Sequence, residues 1–107
     1  MIPVELPIKN VKLNDIQVTK VTKSKPISYV EFAKITVAKN MANSKNLDEL
    51  SIKIAYDFES RFKGAWSCAV KVEGFENEFE YGACRARYIN SSQIKLKVMR
   101  LVISIWQ

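Results

Sequence analysis

The 107-residue chain contains no histidine at all. That removes the commonest general base and the commonest metal ligand together. Its two cysteines, Cys68 and Cys84, cannot close a tetrahedral zinc site or build a disulfide framework. They fit a reducing compartment, where a buried thiol behaves as a small apolar group. With three glycines there is no phosphate-cradling loop, and no apolar run is long enough to span a bilayer. The N-terminal MIPVELPIKN lacks the basic-then-apolar layout of a secretion signal, so a cytoplasmic protein is expected. Neither a cofactor nor catalysis is expected, since catalysis needs positioned groups with tuned pKa values. The class left standing is a binding module.

What is present is a single α+β domain over 1–107. The N-terminal part, 1–27, holds a strand with Ile2, Val4, Leu6 and Ile8 on one parity, limited by Pro3 and Pro7, followed by an irregular connection over 14–27. Two helices occupy 28–63. The first is expected to start at Ser28, with Ser28 and Glu31 as a capping box, and to repeat Val30, Ala33, Val37 and Met41 at helical spacing. NSKN at 43–46 breaks it. The second starts from the Asn46/Glu49 pair, carries Leu50, Ile54, Phe58 and Phe62 at i+4 intervals, and stops at Gly64.

Antiparallel strands fill 65–107, with an acidic insertion near 74–80. Trp66, Cys68, Val70 and Val72 share one parity; Tyr81–Ile89 forms a second segment; Ile94, Leu96 and Val98 mark a third; Leu101, Ile103 and Ile105 mark a fourth. The change of parity after Val98 implies a tight turn at Met99–Arg100, although no glycine or Asn-Gly pair signals it.

The net charge of +6 is unevenly spread. EGFENEFE at 73–80 holds four acids, whereas Arg85, Arg87, Lys95, Lys97 and Arg100 follow with no acid among them. Lys20, Lys23 and Lys25 read as a solubilising group.

The junction DFESRFKGAWSCAV is similar to the helix-to-strand junction of the small cytoplasmic dynein light chain family, the eight-kilodalton hub type. There an EFDKKY-like helix end leads through a short break to Trp-His-Cys and two apolar residues. Here Asp57–Phe62 supplies the helix end, and Trp66, Ser67, Cys68, Ala69 and Val70 follow. Ile8–Lys9–Asn10 resembles the family's IKN, and Tyr81–Gly82 its Phe-Gly. Residues 93–107 lie without gaps on its last two strands, so the resemblance covers 28–107 best.

The resemblance implies a strand-exchanged homodimer forming a β-sandwich, with two helices packed on each antiparallel sheet. It would act as a hub that binds disordered segments of partners by strand addition, dynein intermediate chain among them. It also implies a cytoplasmic, cytoskeleton-associated place in a motor complex. The exchanged, peptide-binding strand would be Tyr81, Gly82, Ala83, Cys84, Arg85, Ala86 and Arg87, with Asp48, Lys95 and Lys97 lining the groove. Trp66, Ser67, Cys68 and Tyr88 would lie at the dimer interface.

The chain departs from the family in four places. Ser67 stands where the family has a histidine whose protonation favours dissociation, so that pH switch is missing. The loop before Tyr81 is longer. Lys95 and Lys97 replace aromatic groove residues, and Asp48 replaces a lysine. Ammonium groups in place of rings would favour acidic ligands, and FENEFE at 75–80 is itself a candidate to cover the edge. The alternative is a nucleic-acid-binding domain, with Arg85, Arg87, Lys95 and Lys97 meeting phosphates and Tyr88 and Trp106 stacking on bases.

Overall fold

The computed structural model describes residues 10–21, 26–72, 81–83 and 93–107. The expected N-terminal strand, the acidic insertion and Cys84, Arg85, Ala86, Arg87 and Tyr88 lie outside these residues. No helix among the described residues is long and apolar enough to cross a membrane.

In chain order the elements are β1 (Ile16–Val21), α1 (Ile27–Asn43), α2 (Leu47–Arg61), β2 (Ser67–Val72), β3 (Tyr81–Ala83), β4 (Gln93–Val98) and β5 (Leu101–Trp106). The strands form one antiparallel sheet in the order β1-β4-β5-β2-β3. Both helices cover the same face of it, α2 lying over β2 and β3 and α1 reaching β1. The α+β architecture expected from the sequence is the one observed.

The sheet register explains the core. Val98, Leu101 and Val72 fall in one cross-strand row; Leu96, Ile103 and Val70 in the next; Ile94, Ile105 and Cys68 in a third. Every one of these residues except the half-buried Val72 is fully enclosed, because side chains two apart on a strand point the same way and this way faces the helices. Leu50, Ile54 and Phe58 of α2, with Val37 and Met41 of α1, complete the layer.

β1 corrects the irregular connection expected at 14–27. Ile16 and Val18 are held opposite Val98 and Leu96, and the register slips by one residue at Thr19, so that Lys20 pairs with Lys95. Pairing with a strand far along the chain, not local pattern, makes this segment extended. A short 3-10 turn at Leu13–Asp15 leads into it, with the Lys12 backbone N–H donating to Asp15 Oδ2 at 3.1 Å.

The start of α1 is a second correction. Pro26, at φ −59° and ψ 151°, is the cap residue, and its carbonyl accepts from Tyr29 N at 3.0 Å. Proline already holds the backbone angle that a helix entrance needs. Ser28 is therefore inside the first turn, and no Ser28–Glu31 capping box forms. Val30 is only half-buried, while Thr36 and Asn40, which the apolar spacing passed over, are buried.

The α2 entrance follows the sequence expectation, with Asn46 Oδ1 accepting from Glu49 N at 2.8 Å. Lys53 then ties α2 back to the end of α1, donating to Asn43 O at 2.5 Å while pairing with Glu49 at 2.9 Å. After α2, Gly64 takes φ +106°, the left-handed region suited to glycine.

The hairpin between β4 and β5 closes through Met99–Arg100 alone, and Met99 sits at φ 54°. A methionine in that region carries a cost of about 1 kcal/mol that asparagine bears more easily. Met99 is well exposed, so its side chain contributes little packing. Met99→Asn is expected to raise stability by about 0.5–1 kcal/mol, read as a higher thermal midpoint; an unchanged or lower midpoint would show that the turn is unstrained.

Candidate functional site

Among the described residues the sheet has two outer strands, β1 and β3, and they are built differently. β1 is irregular at Thr19 and carries Lys20, both devices that discourage an incoming strand. β3 reads Tyr81–Gly82–Ala83, with no charge and no proline, and pairs in unbroken register with β2: Val70 with Tyr81, Ala69 with Gly82, Cys68 with Ala83. Among the described residues its other flank has no neighbour in the sheet. Among the described residues, the outer flank of β1 likewise has no neighbour in the sheet.

α2 runs alongside this edge, packed on β2 and β3. Asp48 is exposed in its first turn, where a carboxylate is favoured by the amide N–H groups of the helix start. Asp48 and Tyr81–Ala83 thus belong to neighbouring elements.

Lys95 and Lys97 do not join them. β4 is separated from β3 by β5 and β2, and both lysines project from the sheet face turned away from the helices. Within one chain, the expected groove lined by Asp48, Tyr81, Gly82, Ala83, Lys95 and Lys97 is not assembled.

The expected interface residues are also redistributed. Trp66, Ser67 and Cys68 are fully buried inside a single chain. Trp66 packs against Phe58 at 4.8 Å between ring centres, Tyr29 at 5.9 Å and Phe62 at 6.2 Å. Tyr29 and Phe62 stack on each other at 3.9 Å, and Phe32 meets Phe58 and Phe62 edge-on. This aromatic group joins both helices to the start of β2. Trp66 and Cys68 are enclosed in the core of one chain, placed there by strand alternation. Burial in apolar surroundings pushes the Cys68 thiol far above its ordinary pKa, which makes it inert as a nucleophile. Ser67, on the opposite parity, is the one of the three that faces outward in the register, opposite Trp106.

The exchanged strand has a similar outcome. Tyr81–Ala83 pairs with β2 of its own chain. The same register is available from a second copy, since exchange of identical elements leaves local pairing unchanged. Trp106, considered for stacking on bases, is 7% exposed.

The sequence reading missed the polar cluster that joins the helices. Asp57 Oδ2 accepts from Thr36 Oγ1 at 2.5 Å, Asn40 Nδ2 at 2.8 Å and Lys39 Nζ at 2.9 Å. Asn40 also donates to Thr36 O and Oγ1, each at 2.9 Å. Burial works to raise the Asp57 carboxyl, but the hydrogen bonds from Thr36, Lys39 and Asn40, with the Lys39 charge, outweigh it and hold the group below the ordinary carboxylate range. The only available signal was the i, i+4 spacing of Thr36 and Asn40 inside an apolar stripe. The cluster ties α1 to α2.

No family model and no curated protein matches the chain. Among solved structures, the dynein light chain-like domain of the Fasciola hepatica calcium binding protein FhCaBP2 is similar to it. The two superpose with a TM-score of 0.62 at 10% sequence identity, over 94% of this chain and 97% of that one. The likeness establishes a dynein light chain-like fold.

Proposed function

We propose that this protein is an adaptor that binds an extended segment of a disordered partner as an added strand along the outer flank of β3. The observation that carries this reading is the contrast between the two sheet edges: β1 is irregular and charged, whereas the described part of β3 is regular, uncharged and, among the described residues, flanked on one side only. Main-chain hydrogen bonds to a strand edge supply affinity for many sequences, and alternate side-chain positions supply selectivity. The dynein light chain-like fold supports an adaptor role of this general kind.

In the fuller form of the reading the unit is a homodimer, and two copies bound side by side raise avidity through effective concentration. The expected ligands are acidic segments, and the intermediate chain of a dynein motor is one partner of the right class. A cytoplasmic, cytoskeleton-associated protein without catalytic activity follows from the same reading.

An array of partner segments, acidic and Thr-Gln-Thr types together, tests ligand class, and backbone amide exchange tests the place of binding. A retained acidic segment is expected to slow exchange within residues 81–83 by about tenfold or more, as newly paired amides do. Protection confined to β1, or no segment retained, would remove strand addition at β3.

A further inference from the structure

The two flanks of α2 have different neighbours. Lys53 donates to Asn43 O, and Asp57 accepts from Thr36, Lys39 and Asn40, so the flank bearing residues 53 and 57 meets α1. At about 3.6 residues per turn, Asp48, Ile52, Ala55 and Glu59 form a stripe along the opposite flank, spaced i, i+4, i+7 and i+11. α1 reaches toward β1, whereas α2 lies over β2 and β3, with β3 outermost among the described residues. The stripe therefore runs on the side of the β3 edge.

The first half of this stripe is open. Asp48 is exposed; its backbone carbonyl accepts from Ser51 at 2.8 Å, while its carboxylate enters no ion pair among the described residues. The neighbouring Glu49 is instead paired with Lys53 at 2.9 Å. Ile52, one turn beyond Asp48, is 48% exposed, and Tyr56, a further turn on, is 65% exposed. Ala55 is buried and Glu59 half-buried, so Asp48 and Ile52 are the side chains of the stripe that a neighbour at the edge would meet.

Four residues of helix advance about 6 Å, and alternate side chains of an extended strand recur at about 7 Å. A strand added outside β3 thus sets two successive helix-facing side chains opposite Ile52 and Asp48. An apolar side chain suits the first place. A cation suits the second, since a carboxylate there would meet like charge. We infer that the segment bound at β3 carries a lysine or arginine at one helix-facing position and an apolar residue two positions from it. The acidic residues expected of the ligand fall on the alternate set, which points away from α2. A slip of one residue would turn them against Asp48, so the same contact fixes the register. The inference rests on strand addition at β3 and adds the side chains that select the partner.

Calorimetric titration of the full chain with the peptide Glu-Val-Glu-Val-Glu-Lys-Glu-Val-Glu-Val tests it, beside the same peptide with glutamate in place of the lysine. Valines stand two residues to each side of the lysine, so either strand direction brings one to Ile52. The lysine peptide is expected to bind about fivefold or more tightly than the glutamate peptide, and added sodium chloride to narrow the difference. Asp48→Lys is expected to invert the order, and Ile52→Ala to weaken both peptides by about threefold. Both positions are exposed, so each variant keeps the core intact. Equal binding of the two peptides, or an order that Asp48→Lys leaves unchanged, with amide exchange slowed at 81–83, would overturn the inference while strand addition stands. Binding of neither peptide, with the amides of 81–83 unprotected, would remove strand addition and the inference together.

Discussion

Replacing Trp66 with alanine is expected to cost about 4 kcal/mol and to lower the thermal midpoint by roughly 20 °C. The indole is fully enclosed and holds Phe58, Tyr29 and Phe62 within one aromatic group, so its removal leaves a cavity where α1, α2 and β2 meet. Domains of this size commonly have only 5–15 kcal/mol of stability, so the variant should lie near the limit of folding. Trp66→Phe keeps a ring in place and should retain more than half of the lost stability. Because Trp66 is internal to one chain, the loss should be the same at low and high protein concentration. Had the residue been part of a dimer interface, raising the concentration would restore stability by mass action. Chemical unfolding followed at two concentrations separates these outcomes, and a concentration-dependent loss would return Trp66 to the interface.

Asp57→Ala should cost about 3 kcal/mol. Thr36 and Asn40 are buried, and removing the carboxylate leaves the Thr36 hydroxyl without its acceptor and Asn40 with only its bonds to Thr36. The Lys39 contribution is smaller, since its side chain is 58% exposed and water screens the pair. Asp57→Asn keeps an acceptor and the shape, and should lose about half as much.

The acid dependence follows from the lowered folded pKa of Asp57. A depressed carboxylate binds its proton less readily when folded than when unfolded, so its contribution is complete above the unfolded value of 3.8. The contribution fades as pH falls through the lower folded value. The stability difference between the unaltered chain and Asp57→Asn should therefore be constant near neutrality and shrink below about pH 4. A difference that holds steady down to pH 2 would show that the carboxylate charge contributes nothing to the helix contact.

Much of the frame can be read from local pattern. The i+4 row of Leu50, Ile54 and Phe58, the Asn46 cap and the positive φ of Gly64 each depend on residues within a few positions of one another. The alternation of β4 and β5 and the two-residue turn between them are of the same kind. β1 escaped because its pattern is broken at Thr19, and only its ladder with β4 makes it a strand. The Thr36–Asn40–Asp57 cluster escaped because two buried polar residues look like interruptions until the carboxylate that satisfies them is seen on the other helix.

The candidate site divides along the same line. The sequence by itself determined that Trp66 and Cys68 share a face, that Lys95 and Lys97 share the opposite parity from the β4 core residues, and that 81–83 is extended. Only the tertiary structure decided which face meets the helices, and that β5 and β2 stand between the lysines and the β3 edge. Side-chain parity is a property of a few consecutive residues, whereas strand order depends on pairings between segments far apart in the chain, which no local period records.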